Sequence, residues 1–366
     1  MTQSASGFTS TSPSSTRRAT LAAGLGSFAL MAAGCSDRTR FFALPSPGSR
    51  GFSGLTMGSS YTVKIATPGL SAATHAAARE QVAAALADVV ARMSHYDAES
   101  EVSRLNRHPP GEPFAVSAPT LRVFQAAQDV RTASGGAFDV AVGRAVDEWG
   151  FGPSERPRRV PDAGTVRAMR REHAAGALAL DPRAGTLTRQ APVLANLSGI
   201  AKGYGVDRAA QALDALGIGD YMVEVGGEIR TRGRNAQGLP WQLAIERPDA
   251  VPQRAFYVLP LQDRSLATSG DYRNFFVHDG RRYSHEIDPS SAEPVAHALA
   301  SVSVVADDCL HADAWSTALF VLGPEQGFAL AQRRGLAAYF VVRGAGGAFV
   351  ERKTGAFAAL GGHAAT

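Results

Sequence analysis

Only two cysteines, Cys35 and Cys309, occur in 366 residues. That excludes a disulfide-stapled scaffold and a zinc site built on four thiolates. No apolar run reaches the ~18 residues of a spanning helix, so a polytopic membrane protein is excluded. Neither G-x-S-x-G nor H-E-x-x-H is present, which removes the serine-hydrolase elbow and the zincin helix. The P-loop and dinucleotide glycine patterns are missing as well. Excess charge is also scarce, with 37 Lys and Arg against 33 Asp and Glu for a net charge of +4. Arg17 and Arg18 supply part of that surplus, and residues 1–34 contain no acid. Nucleic-acid binding requires a clustered basic stripe, and none is present. What remains is a globular composition, 45% apolar and 19% charged. Its 38 glycines imply many tight turns or close backbone approaches.

Residues 2–16 are rich in Ser and Thr, and Arg17-Arg18 then opens an uncharged 16-residue stretch, Ala19 to Gly34. A basic start followed by a short apolar segment fits a signal peptide. The paired arginines point to twin-arginine export. Ala32-Ala33-Gly34-Cys35 resembles a lipobox, with Cys35 lipidated as the first residue of the mature chain. Residues 35–53 read as the lipidated cysteine and a tether. The expected location is therefore outside the cytoplasm, lipid-anchored and facing the periplasm, in the inner or outer membrane. Cys309 reads as a buried structural thiol.

Apolar spacing predicts helices over Ser71–Met93, Pro119–Ala133 with Ser117 as cap, Tyr204–Leu216 ending at Gly217, Ala312–Leu322 and Glu325–Arg334. Alternation predicts a strand at Tyr61–Thr67 and a meander of Tyr221–Val225, Glu228–Gly233 and Trp241–Arg247. Phe256–Leu261, Ala300–Ala306 and Ala337–Arg343 continue the strand material. Helices mixed with runs of adjacent strands indicate an α+β fold. Nothing divides residues 54–366 into two folding units.

Three segments look chemical. Asn196-Leu197-Ser198-Gly199-Ile200-Ala201-Lys202-Gly203 places glycines and a lysine before a helix, which suits an anion; it also fits a tight turn with a solvated lysine. Asp313 and Thr317 share one helix face and offer hard oxygens to Mg2+; they also fit a helix-start acid and a core filler. His285 and Asp288 stand near a turn set by Pro289, and either could act as general base.

In order, these segments resemble one family. The motifs are Met57-Gly58-Ser59-Ser60-Tyr61, Met93-Ser94-His95-Tyr96, Gly135-Gly136-Ala137-Phe138-Asp139, Gly199 to Tyr204, Val225-Gly226-Gly227-Glu228, Thr268 to Tyr272, His285 to Pro289, and Asp313 with Thr317. The chain resembles the ApbE family of FAD:protein FMN transferases. The resemblance implies a single T-fold-related domain with mixed or antiparallel sheets and packed helices. It implies transfer of the FMN half of FAD to a Ser or Thr hydroxyl of a target protein, as a phosphoester, with release of AMP. Met57, Tyr96, Ala137, Phe138, Asp139, Asn196, Lys202 and Ile287 would line the FAD site. Asp313, Thr317, Gly199 and Ala201 would hold Mg2+, with His285 near the transfer centre. The implied partners are exported or membrane-bound flavoproteins, such as redox subunits of Rnf-type or sodium-pumping complexes. A hydrolase that splits FAD into FMN and AMP, and a non-catalytic FAD-binding lipoprotein, are the alternatives.

Three positions depart from the family pattern. Asn196 replaces a common Asp, Ser290-Ser291-Ala292-Glu293 replaces a Gly-containing turn, and Ser316 stands where some members carry a second acid.

Overall fold

The computed structural model describes residues 50–153, 156–174, 178–249 and 254–365. The export segment, Cys35 and the tether up to residue 49 lie outside them. Strands β1 (Arg50–Thr56) and β2 (Ser59–Ile65) precede helices α1 (Ala72–Met93) and α2 (Glu101–Arg107). Next come β3 (Pro113–Ala115), α3 (Ala118–Ala133), α4 (Gly143–Glu148) and α5 (Ala163–Ala174). The pair β4 (Leu178–Asp181) and β5 (Thr186–Arg189) leads to α6 (Ala201–Ala215), then β6 (Tyr221–Val225), β7 (Glu228–Arg232) and β8 (Trp241–Glu246). There follow β9 (Ala255–Leu261), β10 (Ser265–Gly270), β11 (Phe275–His278), β12 (Arg281–Ser284), β13 (Ile287–Asp288), β14 (Glu293–Pro294) and β15 (Leu299–Ala306). The chain closes with α7 (Cys309–Arg333), β16 (Ala337–Arg343), β17 (Phe349–Lys353), α8 (Gly355–Ala358) and β18 (His363–Ala364).

The main sheet has eight strands in the order β1-β2-β6-β7-β10-β15-β16-β17, all antiparallel. Successive side chains point to opposite faces, and both faces are covered. Val223 and Val225 pack with Val82, Leu86 and Val206 under α1 and α6. Met222, Ile229, Leu266 and Val341 pack instead against Trp241, Leu243 and Leu259, on the smaller β18-β9-β8 sheet. This two-sided burial explains why β6 is buried at every position and shows no alternation. Mixed helices and antiparallel sheets bear out the α+β class.

Several expectations are corrected. β8 does not extend a meander from β7; it leaves the main sheet and pairs with β9. Helix α6 starts three residues before Tyr204, because its cap comes from another helix. Helix α7 starts three residues before Ala312, where the Asp308 carboxylate accepts the His311 N–H and the Asp207 carboxylate accepts those of Cys309 and Leu310. Its helical geometry is broken at Gly323 (φ 76°), just before Pro324, so the span consists of two helical segments that meet where the sequence separates them. Ser117 precedes α3 without capping it, since its hydroxyl donates to Glu101.

Candidate functional site

The N-terminus of α6 forms one pole of the site. Ile200 occupies the cap position and makes no side-chain cap bond. The third N–H of the helix, from Gly203, instead donates to Asp313 Oδ2 at 2.9 Å. A carboxylate from α7 thus does the work of an N-cap, where the helix dipole favours negative charge. Gly203 is required for this crossing: a Cβ there would overlap the Cys309 carbonyl and stand 2.8 Å from Asp313 Cβ. One turn along α7, Thr317 meets the loop before α6, and a Cβ on Gly199 would lie 2.9 Å from Thr317 Oγ1. Ser269, near the end of β10, completes the pole, its hydroxyl 2.9 Å from that of Ser316 and 3.3 Å from that of Thr317.

Lys202 and Glu228 sit beside this pole, with Nζ 2.6 Å from Oε1. The Gly226-Gly227 turn packs on the lysine stem: Gly226 has φ 59°, and a Cβ there would be 3.3 Å from Lys202 Cδ. Glu228 is 2% exposed, and its second oxygen has no hydrogen-bond partner. Burial pushes its carboxyl up to about 8; Lys202 pulls it down and Asp313 pushes it up further. Asp313 is raised by burial too, against the pull of Lys202 and the Gly203 N–H. Two neighbouring buried carboxylates with one lysine between them lack positive charge, and a bound cation would supply it.

An aromatic pole lies at the far end of Ser269–Asn274, the segment leading from Thr317 to His285. The Asn274 carbonyl accepts the His285 backbone N–H at 3.1 Å and faces His285 Nδ1 at 3.2 Å. His285 Nε2 lies 3.6 Å from Glu286 Oε1, so both ring nitrogens face acceptor oxygens. The ring packs edge-on against Phe151. Phe151 also accepts the Tyr96 hydroxyl through its carbonyl, at 3.2 Å. Tyr96 is 63% exposed, an open aromatic face. Ile287 is buried beneath, with Trp149 and Phe151.

The expected residues therefore fall into two groups with Phe138 reaching Gly199 between them. Met57 takes φ 50° in the β1–β2 turn, a strained conformation for a side chain, and its sulfur packs against Gly205 of α6. Asn196 turns its side-chain carbonyl to the Ser198 N–H. Asp139 points inward, toward Arg131, His173 and the Ala141 N–H. Ala137 precedes it in the same loop. Asp288 is engaged locally, since one of its oxygens accepts both the N–H and the hydroxyl of Ser290. Both candidate bases thus have local partners: His285 meets Asn274 and Glu286, and Asp288 meets Ser290. Ala292, in the turn that departs from the family pattern, is held at φ 57° with its carbonyl taken by the Trp149 indole. Cys309 is fully buried, with its thiol raised by burial.

Sequence reasoning gave no role to Glu228, Ser269 or His95. Each lies inside a quoted motif, but only the fold shows which side chain turns inward. Burial pushes His95 down to about 4, and its Nε2 has no hydrogen-bond partner beside Tyr96. Among the described residues, no cluster of three or more His, Cys, Asp or Glu is arranged to hold a metal. A metal here would depend on hydroxyl and carbonyl oxygens alongside carboxylate.

The ApbE family model matches residues 57–340. The FAD:protein FMN transferase of Haemophilus influenzae is 40% identical over 337 residues, covering 91% of this chain and 95% of that protein. That of Vibrio cholerae is 42% identical, covering 80% of this chain and 86% of that protein. Among solved structures, the Vibrio cholerae flavin transferase ApbE superimposes with a TM-score of 0.78 at 38% identity, over 86% of this chain and all of that one. The Pseudomonas stutzeri flavinyl transferase ApbE, in its apo form, gives 0.78 at 39%, over 87% of this chain and 98% of that one.

Proposed function

The chain belongs to the ApbE family, and we propose that it transfers the FMN moiety of FAD to a hydroxyl of a partner protein. The observation that carries this reading is the α6 N-terminus pinned by Asp313, with Lys202, Glu228 and Thr317 around it. It is a preformed place for a pyrophosphate. The lysine supplies a point charge for phosphate oxygens, next to the positive end of the α6 dipole.

The donor set fits Mg2+. Asp313 and Thr317 offer hard oxygens, the carbonyls of Gly199 and of Ala201, the first residue of α6, would add more, and the missing side chain of Gly199 leaves room beside Thr317 Oγ1. Bound there, the cation would neutralise charge on the pyrophosphate. Met57, Tyr96, Phe138 and Ile287 supply apolar and ring surfaces for the flavin and adenine. Ala137, Asp139 and Asn196 shape the loops around them.

In the proposed reaction, the acceptor hydroxyl oxygen attacks the phosphorus of the FMN half. The bond from that phosphorus to the AMP half breaks, and AMP leaves. The hydroxyl proton passes to His285 Nε2, while the Asn274 carbonyl stabilises the charged ring through Nδ1–H. Among the described residues, the His285 ring nitrogens meet Asn274 and Glu286 and no serine or cysteine, which supports a nucleophile brought by the partner.

We further propose export through residues 1–34, a lipid anchor at Cys35 and a tether up to residue 49; residues 50–53, expected as tether, instead pair in β1 and belong to the one catalytic unit. Periplasmic FMN-accepting proteins, exported or membrane-bound, are the corresponding partners. The test compares AMP release from FAD and Mg2+ with and without the FMN-binding domain of such a protein. Release that rises sharply with the acceptor supports the transferase; release indifferent to it points to an FAD-splitting hydrolase.

A further inference from the structure

The β11–β12 hairpin has two faces. Phe276 and Tyr283 turn toward Trp149 and Phe151, on the side of His285. Phe275 and Arg282 turn the other way and line a cleft of about 230 Å3 with Asp249, Tyr272, Arg273 and Arg343. None of the residues placed at FAD or the cation lines it. Val277, directly across the hairpin from Arg282, is exposed.

The charges of this cleft are unequally matched. Arg273 is paired with Glu246, and Arg343 is paired with Asp271 through both guanidinium nitrogens. Arg282 has no carboxylate within ion-pair distance among the described residues. It donates one N–H to the Asp271 carbonyl, stacks 3.7 Å over the Phe275 ring, and its Nε is buried without a partner. Burial and the neighbouring Arg343 both work against its charge, and Asp271 offsets them in part. A half-buried guanidinium that lacks a counter-charge has binding capacity to spare for a carboxylate, which it can take in two parallel hydrogen bonds.

The cleft also adjoins the transfer centre. Tyr272, Arg273 and Phe275 line it, and the residue among them, Asn274, holds His285. His285 follows β12, three residues after Arg282 and roughly 10 Å away in extended chain, on the opposite face of the hairpin. A segment held at Arg282 would therefore continue around the edge of the hairpin for its hydroxyl to reach His285.

We propose that this arginine-walled cleft is the docking site for an acidic segment of the acceptor protein, with Arg282 taking its carboxylate. The inference rests on the transferase reading, because it needs a protein acceptor. Charge complementarity selects the occupant: three guanidinium groups line the cleft against one carboxylate, Asp249, itself paired with Arg247, which suits a carboxylate-bearing peptide better than a basic one.

The test immobilises an exported FMN-binding domain and presents the FAD-loaded full-length protein, reading binding and FMN transfer separately for wild type, Arg282→Gln and Arg282→Glu. Arg282→Glu is expected to weaken acceptor binding about tenfold or more at low salt, with Arg282→Gln between it and wild type. FAD affinity and acceptor-free AMP release stay unchanged, which also shows that the variants fold. The difference shrinks at high salt. The proposal is overturned if Arg282→Glu binds the acceptor like wild type, or if FAD affinity falls in step with acceptor binding. Transfer by wild type that Arg282→Glu equals removes the docking inference and keeps the transferase. Binding through Arg282 without transfer does the reverse, and absence of both refutes both.

Discussion

Glu228 and Asp313 tie stability to pH in a way that a cation should reverse. The folded protein holds the Glu228 proton up to about 8, against an ordinary value of 4.5, chiefly because the group is buried. A raised carboxyl pKa means that the folded state binds the proton more tightly than the unfolded chain. The stability this gives is complete below about pH 4.5 and is lost as pH rises through about 8. Each pKa unit is worth ~1.4 kcal/mol, so the full span amounts to a few kcal/mol. Asp313, also raised by burial, adds with the same sign. Mg2+ bound as proposed would replace those protons, so its stabilising effect should grow as pH rises. Thermal melts in EDTA and in saturating Mg2+, at about pH 6 and about pH 8, read this directly. At roughly 2 °C per kcal/mol, the gain from Mg2+ should be several degrees larger at the higher pH. Glu228→Gln keeps the shape without the titration and should flatten the EDTA trend between those pH values. Equal Mg2+ gains at both pH values, with the EDTA trend intact in Glu228→Gln, would refute the coupling.

Three further outcomes follow from the same geometry. Asp313→Asn keeps an oxygen for the Gly203 N–H but loses the charge; Mg2+-dependent FMN transfer should fall by ~10²-fold or more while FAD binding persists, as Mg2+ titration of the rate would show. Gly203→Ala drives a Cβ to 2.7 Å from the Cys309 carbonyl carbon, so the melting point should drop by the equivalent of ~1–3 kcal/mol and transfer should fall with it. Ala292→Gly should raise stability by about 1 kcal/mol in urea unfolding, because the residue already sits at φ 57°.

Elements whose evidence is local were legible in the sequence. Val82, Leu86, Val89 and Met93 repeat at helical spacing, and all four are buried along α1. Gly217 ends α6 as a C′ glycine should, at φ 73°. What was not legible depends on partners far along the chain. The start of α6 depends on Asp313, 110 residues away, and the start of α7 on Asp207, about as distant. β8 reads like its neighbours, but its fully buried Leu243 and Ile245 belong to the second sheet. The same holds for the site. Asp313 and Thr317 were visible as an i, i+4 pair, while Glu228 looked like any strand-start acid until the fold placed it on Lys202. His285 and Asp288 could not be ranked by spacing, and only the fold shows their partners, the Asn274 carbonyl and the Ser290 hydroxyl.

The most direct test of the account is the intact mass of an acceptor domain after incubation with the mature protein, FAD and Mg2+. The account predicts a gain of one FMN phosphoryl unit on a Ser or Thr of the acceptor, matched by AMP and absent in EDTA or with Asp313→Ala. An unchanged acceptor mass while AMP accumulates, or labelling that proceeds equally in EDTA, would contradict it.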